Sequence, residues 1–310
     1  MSPSAEARRL LSPLSMLYGL GARLRARRWR GRQRRLPRPV LSVGNLTFGG
    51  TGKTPFVVHV CEALLRRGRR PVILSRGYGA TGPEGNDEAK VIRAHLPRVP
   101  HVQSPDRHRA GMGILEHADV FVLDDGFQHH PLHRDLDVVL VDATDPFGGG
   151  ACPPGGRLRE PRSALDRADL VVITRSDLVP LASLGATMRE VRALTAAPVA
   201  TGRFVPSCAE RLEGREVLVA CGIGNPRAFL ATVEGMGASG ARTRFFPDHH
   251  AYGAADVADL SGAGLPVVVT EKDAVKLAPL WTGEAPLLVV TIAFEATGGG
   301  DEIEALLDRA

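Results

Sequence analysis

Lysine is scarce in this chain, with four residues against 35 arginines in 310. Aromatic residues make up 5% of it, with only two Trp and three Tyr. That leaves no ladder of rings on which nucleic-acid bases would stack. The four cysteines, Cys61, Cys152, Cys208 and Cys221, never fall in C-x-x-C spacing. This argues against a thiolate zinc site or a disulfide framework and for buried thiols in a reducing compartment. No apolar run reaches the roughly 20 residues that span a bilayer. Negative charge is also unevenly absent. Residues 1–38 hold eleven arginines and one acid, Glu6, giving +10. The formal net charge of +5 therefore leaves −5 on the remaining 272 residues. The body is not a nucleic-acid surface on charge grounds.

What is present includes a hydrophobic fraction of 44%, enough for a globular core in two domains or one large one. The most informative stretch is GNLTFGGTGKTP at 44–55. It follows the apolar run PVLSVG and precedes FVVHVCEALLRRG, which has helical periodicity. A glycine-rich turn between a strand and a helix, ending in Gly-Lys-Thr, is a phosphate cradle. Gly49, Gly50 and Gly52 free backbone N–H groups to face phosphate oxygens. Lys53 would reach the β- and γ-phosphates of a nucleotide, and the Thr54 hydroxyl would ligate Mg²⁺. The strict pattern places glycine where this chain has Thr47. Phe48 and Thr51 complete the loop.

The other apolar runs are continuous and β-branched: RPVILSRG (70–77), HADVFVLDDG (117–126), LDVVLVDA (136–143) and ADLVVITRSD (168–177). Such runs predict strands buried on both faces, hence a parallel sheet with flanking helices. Helices are expected near 55–67 and 182–195. VATGRFVPS (199–207) reads as a crossing strand, after which the pattern restarts with strand, glycine turn and helix over 216–237, LPVVVTEKDAVKL (265–277) and PLLVVTIAFEA (286–296). The expected organisation is a basic segment at 1–38, a P-loop NTPase-like parallel-sheet domain at 39–200, and a smaller α/β domain at 201–310. Linker strands near 199–207 and 286–296 would lie side by side. Glycine- and proline-rich loops at 77–86 and 147–161 interrupt the first domain, where such folds carry their sites.

Asp124 and Asp125 end the strand VFVL and supply the acidic half of an Mg²⁺–nucleotide site. Arg157, Arg159 and Glu160 follow a glycine-proline loop suited to an anion. His129 and His133 have i, i+4 spacing, but Pro131 between them opposes a helix and no third ligand is evident. Arg175 in ITRSD stands where a lysine would read a guanine base, so a specific guanine site is not expected. In the N-terminal segment Leu10, Leu14, Leu17 and Gly21 form one helical stripe, followed by nine arginines from Arg23 to Arg38. A spanning helix, a twin-arginine export signal, a nucleic-acid arm and an interfacial amphipathic helix compete as readings of this segment, and the last fits best.

Several stretches in order carry a more specific resemblance: SPLSMLYG, VGNLTFGGTGKTP, LSRGYG, GNDEAKVI, LDDGFQHHPLHRDLDVVLVDA, GGRLREP, GIGNP, FPDHHAY and VVTEKDAVKL. Together they resemble the tetraacyldisaccharide 4′-kinase family, the lipid A kinases of Gram-negative bacteria. The resemblance covers nearly the whole chain, and Thr47 in place of glycine belongs to it. It implies two α/β/α domains with a short β linker and an N-terminal helix that meets the membrane. It implies transfer of the γ-phosphate of ATP to the 4′-hydroxyl of a tetraacylated glucosamine disaccharide 1-phosphate. It further implies a phosphate loop at 47–54, an Mg²⁺ site using Asp124 with Asp125 beside it, and support of the metal by Glu160. A catalytic Asp–His pair maps to Asp87 and a histidine of FPDHH, aligned here to His249 with His250 as the alternative. The partners implied are the lipid A disaccharide 1-phosphate and the anionic surface of the inner membrane, on its cytoplasmic face as a peripheral enzyme, with no nucleic acid and no protein partner. A P-loop switch protein that hydrolyses nucleotide to drive a partner is the reading that competes.

Overall fold

The computed structural model describes residues 5–77 and 85–310, and side chains from Pro13 onward. In chain order these form α1 (Ala5–Trp29), β1 (Val40–Asn45), α2 (Lys53–Arg66), β2 (Pro71–Ser75), α3 (Asp87–His95), β3 (His101–Gln103), α4 (Arg107–Met112), β4 (Val120–Asp124), β5 (Leu136–Asp142) and β6 (Leu170–Thr174). Then come α5 (Leu181–Arg192), β7 (Val199–Cys208), β8 (Glu216–Cys221), α6 (Pro226–Gly235), β9 (Gly240–Phe245), α7 (Ala254–Ser261), β10 (Val267–Thr270), α8 (Glu271–Leu277), β11 (Leu287–Gly298) and α9 (Gly300–Leu307).

The chain divides into two compact units. The first comprises Met1–Tyr78, Leu96–Phe204 and Phe294–Ala310; the second comprises Gly79–His95 and Val205–Ala293. The expected division at 200/201 into consecutive stretches differs from this at two places. Residues 87–95 leave the first stretch because α3 packs on α8. Residues 294–310 return to the first unit because β11 runs back beside β7, with Thr297 Oγ1 2.9 Å from Thr201 Oγ1, and α9 then packs on α2 and β6. β7 and β11 are thus neighbours in the sheet.

In the first unit the strand order is β3-β2-β4-β1-β5-β6-β7. The pairs β2–β3, β2–β4, β4–β1, β1–β5, β5–β6 and β6–β7 are all parallel. Every residue of β1, β2, β4 and β6 is buried, which accounts for the unbroken apolar runs. One packed core joins Val139 and Val141 of β5 and Val171 and Ile173 of β6 to Phe127, Leu165 and Val191. Successive strands run outward from β1 in opposite directions, so β1 is the switch point, where open α/β sheets bind ligands beyond their carboxyl ends. The phosphate loop leaves β1 at that edge. Val43 pairs with Asp124, so the aspartates ending β4 come out on the same edge.

The second unit has the parallel order β11-β10-β8-β9. Its strands bury Val217, Val219, Val267, Val268 and Val269 between α6 on one cluster and α7 and α8 on the other. β9 escapes the sequence pattern because it is a charged edge strand, with Arg242 and Arg244 exposed; charged side chains blunt such edges.

α1 packs on the first unit through its small residues. Ser15 and Gly19 are buried, and Ser15 Oγ accepts a hydrogen bond from the Gly155 N–H at 3.0 Å. The large apolar residues point away: Leu14, Met16, Leu17, Leu20 and Leu24 are all more than half exposed. The stripe expected from sequence is therefore the outward face. The Leu10 side chain, and Tyr78 and Gly79 of LSRGYG, lie outside the described residues. Among the described residues no helix is long and apolar enough to cross a membrane.

Candidate functional site

The phosphate loop is held open by backbone conformations that favour glycine. Gly49 has φ +118° and Gly52 has φ +83°. A Cβ on Gly52 would lie 1.8 Å from Phe204 Cζ, so the aromatic ring packs directly on the residue that caps α2. α2 begins at Lys53 with no acidic residue in its first turn, leaving its N-terminal N–H groups to attract an anion. Further contacts brace the loop from outside. Thr174 Oγ1 donates to the Thr51 carbonyl at 3.1 Å, and Arg175 Nη1 donates to the Gly50 carbonyl at 3.0 Å while pairing with Asp142. Arg175 thus buttresses the loop. Thr47 is buried and bridges to Leu158, and the Phe48 N–H donates to the Arg157 carbonyl at 2.8 Å. The Thr51 hydroxyl is buried without a partner among the described residues.

Lys53 Nζ donates to Asn45 Oδ1 at 3.3 Å and lies 3.5 Å from Asp125 Oδ1. Arg159 Nη1 reaches both oxygens of Asp125, at 2.8 and 2.7 Å, and its guanidinium lies 5.2 Å from the Phe48 ring centre. Burial opposes charge on Asp125, but Lys53 and Arg159 outweigh it and hold the carboxyl below its ordinary value. Asp125 has φ +53°, and the turn after it fits only because residues 126 and 44 are glycine. A Cβ on Gly126 would meet Ser42 Oγ at 2.5 Å, and one on Gly44 would meet Phe127 Cβ at the same distance. Asp124 is buried at the end of β4. Arg107, itself 3% exposed, donates to the carbonyls of both Asp124 and Asp125 at 3.1 Å.

Glu160 is placed differently from the metal-supporting position expected. It is buried, its two oxygens accept from Arg167 at 2.9 and 3.0 Å, and His130 Nε2 lies 3.8 Å away. A carboxylate satisfied on both oxygens by a guanidinium is a poor candidate for a metal ligand. Gln128 Nε2 donates to the Asn45 carbonyl at 3.0 Å. His133 pairs with Asp135 at 3.3 Å, and the buried His129 Nε2 has no partner among the described residues.

A second cluster lies in the second unit. Asp87 opens α3, where a negative charge suits the helix N-terminus. Its Oδ2 is 3.5 Å from His249 Nδ1 and 3.4 Å from Lys276 Nζ. The first distance is at the outer limit of a hydrogen bond. His249 projects from a left-handed turn, φ +59°, with its N–H bonded to the Gly222 carbonyl at 3.1 Å. His250 is engaged elsewhere: Nε2 is 3.2 Å from Asp256 Oδ2 and the ring stacks 4.6 Å from Phe246. Lys276 Nζ also donates to the His250 carbonyl at 3.0 Å and lies 3.9 Å from the buried Asp273.

Sequence reasoning missed Asn45, Arg107, Phe204 and Lys276 as site residues. Only Lys276 carried a usable signal, because the scarcity of lysine that draws attention to Lys53 applies to it equally.

The family model described as tetraacyldisaccharide-1-P 4′-kinase matches residues 7–310. A tetraacyldisaccharide 4′-kinase of Anaeromyxobacter sp. (strain K) is 40% identical over 309 residues, covering 88% of this chain and 82% of its own. One from Anaeromyxobacter sp. (strain Fw109-5) is 38% identical over 342 residues, covering 97% of this chain and 92% of its own. Among solved structures, LpxK from Aquifex aeolicus in complex with ATP is similar with a TM-score of 0.79 at 29% identity, covering 98% of this chain and 99% of that one.

Proposed function

The chain belongs to the tetraacyldisaccharide-1-P 4′-kinase family, and from that premise we propose how its residues divide the work. The reaction is ATP-dependent phosphorylation of the 4′-hydroxyl of a tetraacyldisaccharide 1-phosphate. A bond forms between O4′ and the γ-phosphorus, the bond from that phosphorus to the β,γ-bridging oxygen breaks, and ADP leaves. The observation that carries this reading is Lys53 at the start of α2, behind a glycine loop at the sheet's switch point, with Asp124 and Asp125 ending the neighbouring strand.

The phosphate loop, Thr47 to Thr54, cradles the triphosphate with backbone N–H groups. Lys53 and Arg159 offset the charge of the transferring phosphoryl group. The donor set fits Mg²⁺: a Thr54 hydroxyl and an Asp124 carboxylate are hard oxygen ligands. Among the described residues no group of three or more His, Cys, Asp or Glu forms a cage. Mg²⁺ prefers one or two carboxylates and substrate phosphates to such a cage. When bound, the ion neutralises phosphate charge as it redistributes in the transition state. Asp125 stands beside these ligands as the counter-ion of Lys53 and Arg159. Asp87 takes the proton of the attacking hydroxyl, and His249 orients its carboxylate; Lys276 fixes the same oxygen. Such a base contributes roughly 10²–10⁴-fold.

We also propose that α1 lies on the cytoplasmic face of the inner membrane. Its exposed leucines would enter the interface while the arginines from Arg23 onward meet anionic headgroups, which brings the enzyme to a substrate anchored by its acyl chains. The test of function is transfer of labelled γ-phosphate from ATP to the tetraacyl disaccharide 1-phosphate in detergent. Transfer should be abolished by Lys53→Ala with the melting temperature unchanged. Phosphate release to water without transfer to the lipid would favour a P-loop switch protein instead.

A further inference from the structure

Among the described residues the most deeply buried acid is Asp273 of α8, at 0% exposure. A carboxylate persists in such a place only where it is paired and hydrogen-bonded. Its two oxygens have different partners. Oδ2 accepts from the Thr270 hydroxyl at 2.6 Å, and Thr270 Oγ1 accepts in return from the Asp273 N–H at 3.3 Å, which caps α8. Oδ1 accepts from the Gly222 N–H at 3.0 Å and from the Tyr252 hydroxyl at 2.8 Å, and lies 3.9 Å from Lys276 Nζ. Burial first, and then the charge of Asp273, push the Tyr252 pKa up, so the hydroxyl stays a donor. The helix cap uses Oδ2 alone. It gives no reason for three groups from three different segments to converge on Oδ1.

Two short paths lead from Oδ1 to Asp87. Along the first, Gly222 donates to Asp273 through its N–H and accepts at its carbonyl from the His249 N–H, at 3.1 Å. His249 has φ +59°, a conformation that costs an L-residue about 1–2 kcal/mol and so needs an anchor. The fit is close: a Cβ on Gly222 would lie 3.0 Å from the Pro247 carbonyl oxygen, 3.1 Å from His250 Cβ and 3.4 Å from Asp273 Oδ1. Along the second path runs Lys276. Its Nζ donates to the His250 carbonyl at 3.0 Å, lies 3.4 Å from Asp87 Oδ2, and sits 5.4 Å from the Tyr252 ring centre. A compact ammonium gives up its water only where other oxygens replace it, and Asp273 supplies one of these with a charge. Both paths end on the same atom, Asp87 Oδ2, 3.5 Å from His249 Nδ1.

We propose that Asp273 is a positioning residue for phosphoryl transfer, acting on Asp87 through Lys276 and through the Gly222–His249 turn. The inference rests on Asp87 as the base, proposed above, and adds to it the buried acid that holds both of its neighbours. Asp273 takes no proton and meets no substrate in this role. Its Oδ2 serves the helix and its Oδ1 serves the site, so the two roles can be separated by substitution.

The experiment uses the full chain in mixed micelles with ATP and the tetraacyl disaccharide 1-phosphate. Asp273→Asn keeps the shape of the side chain and an oxygen for Gly222 and Tyr252, but removes the charge that faces Lys276. kcat should fall about tenfold with KM for ATP unchanged, since a misplaced base costs rate and not nucleotide binding. In an Asp87→Ala background the same change should lower kcat less than about twofold further, because nothing is left to position. Thr270→Val removes only the capping half; it should lower the melting temperature and leave kcat within about twofold. Unchanged kcat in Asp273→Asn, or a tenfold loss repeated in the Asp87→Ala background, would overturn the proposal. So would a tenfold loss in Thr270→Val, which would assign the effect to the helix cap. If Asp273→Asn does not fold, Tyr252→Phe takes one donor from the same oxygen and should lower kcat about threefold, again only while Asp87 is present; no loss would overturn the proposal equally. Full kcat in Asp87→Ala would remove the proposed base and this inference with it. Lost kcat there beside full kcat in Asp273→Asn would remove the inference alone.

Discussion

Gly52→Ala tests the phosphate loop where two physical effects can be separated. Gly52 has φ +83°, and an L-residue in the left-handed region costs about 1–2 kcal/mol. The added Cβ would also fall 1.8 Å from Phe204 Cζ and 2.4 Å from Cε2, so the ring or the loop must move. Phe204 packs against Phe294, 6.1 Å between ring centres, and under Arg175, so its room to retreat is limited. Forcing extra carbon into a packed place costs typically 1–3 kcal/mol. Together the two effects come to about 2–5 kcal/mol, and each 1.4 kcal/mol is tenfold in affinity. If the loop absorbs the strain, ATP binding measured by titration calorimetry should weaken about 30-fold or more. Adding Phe204→Ala removes the clash but leaves the backbone strain, so the double variant should regain about tenfold of the affinity. ATP bound by Gly52→Ala as tightly as by the unaltered protein would refute the assignment of the loop. Strictly additive losses in the double variant would refute the role given to Phe204.

Other expectations follow from the same geometry. Asp87→Ala and His249→Ala should each lower kcat by roughly 10²–10⁴-fold with ATP affinity retained, and the double variant should be little worse than either; multiplicative losses would show that they do not act together. Lys276→Met should lower kcat less than Asp87→Ala does and should shift the pH–rate profile, whereas a merely structural lysine would change only the melting temperature. Burial first, then Arg107 and Arg134, lowers the His129 pKa to about 3; burial and Arg167 against Glu160 lower that of His130 to about 4. Both are neutral when folded and would gain protons on unfolding below about pH 6.5, so stability should fall as pH drops from there toward 4, by up to about 1.4 kcal/mol per pH unit for each, reduced by partial exposure. His129→Gln/His130→Gln should flatten that decline in thermal melts, and an unchanged slope would remove these histidines as its cause. Leu14→Ser/Leu17→Ser/Leu24→Ser should lose binding to anionic vesicles in a sedimentation assay without loss of thermal stability; retained binding would move the membrane contact off α1.

Legibility in the sequence tracked how local the determining interaction is. The phosphate loop and the paired aspartates were readable because each is a short covalent pattern joined to a buried strand, and the strands themselves were readable as β-branched runs. β3, at three residues, is too short to show a period, and β9 is polar because it is an edge. The membership of α3 in the second unit and of α9 in the first depends on where the chain returns, which no window of sequence contains. The stripe of α1 was visible, but its direction was not. Apolar periodicity says that leucines share a face, whereas the facts that Ser15 and Gly19 fit under the 152–161 loop and that the leucines do not are matters of close packing. Glu160 was read by its neighbourhood in sequence and is claimed in space by Arg167.

The surroundings of the carboxylates bear on which of them can accept a proton. Asp125 is held as an anion by Lys53 and Arg159, which lower its affinity for protons. A base stabilised in its charged form by two cations gains little by taking the proton of a sugar hydroxyl. Glu160 has both oxygens committed to Arg167. Asp124 ends a buried strand, and its carbonyl, with that of Asp125, is fixed by Arg107, an arrangement that suits a stationary ligand for a cation. Asp87 differs from all three. Among the described residues it meets no arginine, and its two neighbours, His249 at 3.5 Å and Lys276 at 3.4 Å, share one oxygen. On the reading proposed above, the histidine and the ammonium position one carboxylate oxygen, and among the described residues the other is left for a substrate proton. Asp125 at the nucleotide end is committed to cations, whereas Asp87, which we propose as the proton acceptor, meets no arginine among the described residues.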